Sequence, residues 1–155
     1  MAAVQADEVS RPFPTVEPLL SAPGEAHLWG LRAGLTPELL GSRFGFGWGP
    51  RLQRVVAPIL HHDVATGGWV ARAVMPHQSP KYLKGDPHGL QYILGPKSVE
   101  RIVVVEDILS AIKVRLAAEQ AGEGDRVAAV ALGGTHFDAA KLSHMRDLQR
   151  ATIFP

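Results

Sequence analysis

Arg101-Ile102-Val103-Val104-Val105-Glu106-Asp107 is the stretch on which the fold turns. A continuous β-branched run without polar alternation suits a strand buried on both faces, as strands of parallel sheets are. Two acids follow it directly. Residues 107–121 then predict a helix with Leu109, Ile112 and Leu116 on one face. A turn over 122–125 leads to a second buried strand over 127–132. Gly133-Gly134 turns the chain, Thr135 can cap a helix over 136–149, and residues 151–154 predict a third strand. This β-α-β-α-β rhythm is that of a parallel sheet with right-handed crossovers.

Upstream the texture is different. Residues 1–24 hold four prolines and little periodicity, and they read as a flexible leader. A short helix over 25–32 ends at Gly34, and Thr36-Pro37-Glu38 starts another, with Thr36 as cap. Residues 43–48, 54–60 and 68–75 read as strands. The segment 61–67, with Asp63 and a Gly-Gly end, reads as the turn of an antiparallel hairpin. Residues 76–96 are rich in Pro, Gly and His and predict mostly loop, with extended pieces at 81–83 and 91–94.

Composition excludes several classes. With 46% hydrophobic and 20% charged residues, the 155-residue chain reads as soluble and globular. It has no apolar run of membrane-spanning length. The absence of cysteine rules out disulfides and thiolate zinc sites. Net charge is only +1, but residues 43–84 carry Arg43, Arg51, Arg54, Arg72, Lys81 and Lys84 against Asp63 alone, a local +5. Such a stretch can hold a polyanion, or it can be a solvated surface that lacks acids.

Sites in parallel α/β sheets form at the carboxyl ends of strands. Glu106-Asp107 and Gly133-Gly134 both stand there. A carboxylate at that place can hold a divalent cation or act as a general base. It can equally be an acid favoured by a helix N-terminus. Glycines let a ligand approach the backbone. His61-His62-Asp63 has metal-ligating side chains, but neighbouring residues on a strand point to opposite faces, and a hairpin turn explains them. Trp29, Trp48 and Trp69 could stack on bases, but they lie in apolar runs that suit a core.

Residues 103–111, with Glu106 at the strand end, then Val130-Ala131-Leu132-Gly133-Gly134-Thr135, then Ala151-Thr152-Ile153-Phe154, resemble the TOPRIM domain of primases, topoisomerases and some nucleases. Glu106 matches its first-motif glutamate. Asp107 stands where glycine is common, and Ser110 where many members have aspartate. The upstream half resembles the catalytic core of bacterial and phage primases. It carries Leu31-Arg32-Ala33-Gly34-Leu35-Thr36-Pro37-Glu38-Leu39, Arg54-Val55-Val56-Ala57-Pro58-Ile59, Gly68-Trp69-Val70-Ala71-Arg72-Ala73 and Pro80-Lys81-Tyr82-Leu83. His88-Gly89-Leu90 and Tyr92-Ile93-Leu94-Gly95 complete the set in the family's order, over about 24–155. Phage-encoded primases look closest.

The resemblance implies an α/β protein in which a small mixed α+β lobe with an antiparallel hairpin, 25–96, packs on a TOPRIM parallel sheet, 97–155. It implies a DNA primase-like nucleotidyltransferase that makes RNA primers by metal-dependent phosphoryl transfer. Glu106 would be catalytic and, with Asp107, hold magnesium or manganese. Arg54, Arg72 and Lys81 would contact nucleotide or template phosphates, and Gly133 and Gly134 would bring backbone close. Implied partners are single-stranded DNA template, NTPs, a replicative helicase and a separate zinc-binding module, in the cytoplasm of a bacterium or phage-infected cell. The family's Asp-x-Asp pair would follow residue 155, so the sequence reads as a C-terminally incomplete domain, either a fragment cut before the motif or a natural short form, with truncation the simpler reading. Alone, it is expected to bind single strands weakly and to make no primers. The alternatives are a non-catalytic nucleic-acid-binding TOPRIM module and another TOPRIM enzyme such as a nuclease. The only tyrosines, Tyr82 and Tyr92, precede the predicted sheet, which argues against a topoisomerase.

Overall fold

The computed structural model describes residues 11–85, 91–133 and 151–153. Contacts divide the chain into two units, Met1–Ile59 with Gly67–Leu90 and Leu60–Thr66 with Gln91–Pro155.

The first unit begins with a correction. Residues up to 24 were expected to form a flexible leader. Instead β1, Glu17–Pro18, pairs antiparallel with β2, Gly47–Gly49, and a 3-10 turn follows at Leu19–Ser21. Leu19 and Ala22 are buried, and the Leu19 carbonyl lies 2.9 Å from His27 Nε2. Proline density misleads here, because an edge strand tolerates a residue without an N–H. Helix α1, Gly24–Leu31, packs its Gly30 where a Cβ would lie 3.0 Å from both Leu35 O and Leu40 Cδ1. Helix α2, Pro37–Phe44, is capped by Thr36, whose hydroxyl accepts the Leu39 N–H at 3.2 Å. It ends at Gly45 in the left-handed region. Arg43 and Phe44, expected in a strand, therefore finish this helix, and only Gly47–Gly49 is extended.

Strand β3, Arg54–His61, turns into β4, Val64–Arg72, and β5, Tyr82–Lys84, pairs antiparallel with β4. The turn is tighter than expected. It consists of His62 and Asp63, with φ of 50° and 69°, and Gly67-Gly68 lies within β4. Two consecutive left-handed residues match the twist of a two-residue hairpin, and the Asp63 carboxylate holds the turn by accepting the Gly95 N–H at 3.0 Å. Val56, Trp69 and Ala71 form a core cluster with Val16, Leu52 and Leu83 against it.

In the second unit the strands are β6, Tyr92–Leu94; β7, Arg101–Val105; β8, Val127–Ala131; and β9, Ala151–Ile153. They run in the order β6-β8-β7-β9. β7 is parallel to both β8 and β9, and β6 is antiparallel to β8. His61, at the end of β3, pairs in parallel with Ile93. Helix α3, Ile108–Gln120, follows β7 and packs on β8, β7 and β6. Alternation along the strands puts Ile93, Ile102, Val104, Ala128 and Val130 together in one core cluster, with Leu132 against it. Leu109 and Ile112 are buried as expected, but Leu116 is only half-buried. Its neighbour Arg115 is the buried one, donating to the Gly124 carbonyl and lying 3.6 Å from Glu119.

The protein is thus of the expected α/β class, with an antiparallel hairpin and a parallel β7–β8–β9 set. The helix expected over 136–149, together with Gly134, Thr135 and Phe154, lies outside the described residues, as does His88-Gly89-Leu90. Among the described residues no helix is long and apolar enough to cross a membrane.

Candidate active site

β7 ends where burial ends. Val104 and Val105 are buried and Glu106 is exposed, so the carboxylate stands where the strand's buried end gives way to solvent. Arg101 is exposed and Val103 half-buried, so the strand is less fully covered than its apolar run suggests. The Leu132 N–H donates to the Val105 carbonyl at 3.0 Å, and the Gly133 N–H donates to the Glu106 carbonyl at 3.0 Å. The parallel ladder is thereby extended beyond both strands. Glu106 and Gly133, picked out separately in the sequence, lie side by side at one sheet edge. Gly133 adopts φ of 72°, which a residue with a Cβ adopts at a cost.

Asp107 has a different place. It caps α3 in extended conformation, and its Oδ1 accepts the Ser110 N–H at 2.8 Å. One carboxylate oxygen is therefore committed to the helix. No group of three His, Cys, Asp or Glu side chains suited to a metal occurs among the described residues. An exposed glutamate at a strand end nevertheless fits magnesium or manganese, hard cations that commonly take one or two carboxylates and fill the rest with water and substrate phosphates.

The basic residues lie in the first unit. Arg72 and Tyr82 are cross-strand partners on β4 and β5. The Arg72 guanidinium lies 5.4 Å from the Tyr82 ring centre and 5.9 Å from that of Trp29, and it donates to the Ala73 carbonyl. Lys81, exposed, places its ammonium 5.7 Å from the same Tyr82 ring. The structure thus gathers Arg72 and Lys81 around one aromatic ring. Trp29 itself stacks on Phe46, with centroids 6.3 Å apart. Arg54 is set apart from them. It is buried, and its Nη2 donates to the Pro80 carbonyl at 2.7 Å, which holds the segment leading into β5. At 8% exposed, Arg54 offers little surface to a phosphate in solution. Trp48 and Trp69 are buried core residues. His62 lies 3.0 Å from the Gly95 carbonyl through Nδ1, a turn contact.

Two residues to which the sequence assigned no role in a site have buried polar atoms without hydrogen-bond partners among the described residues. Both amide atoms of Gln91 and the Tyr92 hydroxyl are so placed. The phenol of Tyr92 is pushed well above its ordinary pKa, first by burial and then by the charge of Asp63. A glutamine opening an apolar strand was the one available signal.

No protein-family model matches the sequence, and no curated protein matches it significantly. Solved structures do match. A DnaG primase catalytic domain bound to single-stranded DNA superposes with a TM-score of 0.58 at 21% identity, over 88% of this chain and 54% of that chain. The Escherichia coli primase catalytic core gives 0.55 at 19% identity, over 88% and 56%. A DnaG catalytic core gives 0.56 at 21% identity, over 88% and 55%. The chain therefore spans about half the length of these primase chains. Across most of its length it has the fold of the primase catalytic core.

Proposed function

We propose that this protein is a primase-like enzyme of DNA replication, with a TOPRIM-type edge at Glu106 that binds nucleotides with a divalent cation. The observation that carries the reading is the exposed Glu106 carboxylate at the end of a largely buried parallel strand, bonded through its backbone to Gly133, within a primase-core fold. Glu106 is the residue that would hold magnesium or manganese, and the bound cation would neutralise charge on nucleotide phosphates. Asp107 fixes the start of α3, and its second carboxylate oxygen would serve the same cation. Gly133 lets a ligand approach the backbone. Arg72 and Lys81 would bind the phosphates of single-stranded template, and Tyr82 between them offers a ring for a base. Arg54 would act by holding the Pro80 carbonyl, and so the segment that carries Lys81. The partners proposed are single-stranded DNA and NTPs, with a helicase and a zinc-binding module as further ones, in the cytoplasm of a bacterial or phage-infected cell. Phage primases remain the proposed relatives.

The test is manganese-dependent binding of a fluorescent NTP to the wild type and to Glu106→Gln, together with primer synthesis on a single-stranded template. Loss of the manganese dependence in the variant is the expected result. Equal binding by both proteins would remove Glu106 from the site.

A further inference from the structure

Gln91 directly precedes β6, whose Tyr92 is opposite Ala131 of β8. The same antiparallel register puts Gln91 level with Leu132, next to Gly133 and at the sheet edge that carries Glu106. Alternation places its side chain on the face of Ile93 and Leu132, opposite Tyr92. The residue is only 4% exposed, yet neither Nε2 nor Oε1 has a hydrogen-bond partner among the described residues. A buried carboxamide with both ends unpaired opposes folding, and a buried group of this kind calls for an explanation. Ligands of α/β sheets bind at this end of the strands.

We propose that Gln91 reads the neutral part, sugar or base, of the nucleotide bound at the Glu106 edge. The proposal rests on the nucleotide-binding reading above and adds a specificity-determining residue to it. The chemistry excludes a phosphate role. Phosphate oxygens only accept, so they would satisfy Nε2 and leave Oε1 facing negative charge. A nucleoside offers hydroxyl or base-edge donors beside acceptors, which pair both ends of the amide.

The test uses the full chain with manganese and two probes, an NTP and inorganic tripolyphosphate. Gln91→Met keeps the side chain's length and removes both polar atoms. The expected result is a higher Tm, NTP affinity reduced about tenfold, and tripolyphosphate affinity unchanged. Unchanged NTP affinity, equal weakening of both probes, or a lower Tm for Gln91→Met would each overturn the proposal. Binding that disappears in Glu106→Gln but survives in Gln91→Met overturns this inference and leaves the proposed function standing. A wild type that binds no NTP overturns both.

Discussion

Tyr92 carries a phenol that is 2% exposed, with its hydroxyl unpartnered among the described residues. The folded protein therefore holds the phenolic proton at pH values where an unfolded chain has lost it, above about pH 10. The associated stability is complete below that value and declines as pH rises through it. Tyr92→Phe should flatten the decline and raise stability by up to about 1 kcal/mol, because no hydrogen bond is lost. Urea midpoints of both proteins on either side of about pH 10 would decide it. Gly85 makes the opposite case. A Cβ there would overlap the indole of Trp69, a ring buried in the core. Gly85→Ala should cost about 1–3 kcal/mol, read from the same midpoints. Neither residue was legible in the sequence, because both depend on what the chain brings against them from far away. The place of Glu106 at the strand end was legible, because a charge that ends an apolar strand is a local pattern.

Among the elements, those with local signals were read well. The Thr36-Pro37 start of α2, the β-branched β7 and the helix after it are each specified within a few residues. The hairpin turn was placed correctly but drawn too long, because Gly-Gly looked like its natural end. The left-handed residues are His62 and Asp63, supported by bonds to Gly95 that the sequence does not display. At the start of α3 two roles for Asp107 can be separated. Asp107→Asn keeps a side-chain oxygen for the Ser110 N–H, whereas Asp107→Ala removes it. The alanine variant should lose about 1 kcal/mol and the asparagine variant much less. If manganese affinity also falls in the asparagine variant, the carboxylate serves the cation as well as the helix.

At the scale of the whole molecule, a chain with a net charge of +1 would gain the proposed phosphate-binding surface only through local concentration of its basic residues. Replacing both Arg72 and Lys81 with alanine should weaken single-strand binding. It should also reduce the logarithmic salt slope by about 1.4, two contacts at roughly 0.7 each. An unchanged slope would make the two residues ordinary surface charge. The parallel arrangement was legible from the β-α-β rhythm, but the placing of β7 between β8 and β9 was not, since rhythm does not encode order. That placing bears on how the protein folds. The strand that comes first of the three is the one both others must find. Its pairing with β9 closes roughly twice the length of chain that its pairing with β8 does. The extra closure entropy is small, about 0.6 kcal/mol, yet it favours β7, α3 and β8 assembling first. On that route β9 docks last, on an edge already built, and the strand ends that carry Glu106 and Gly133 acquire their backbone frame before the sheet is complete.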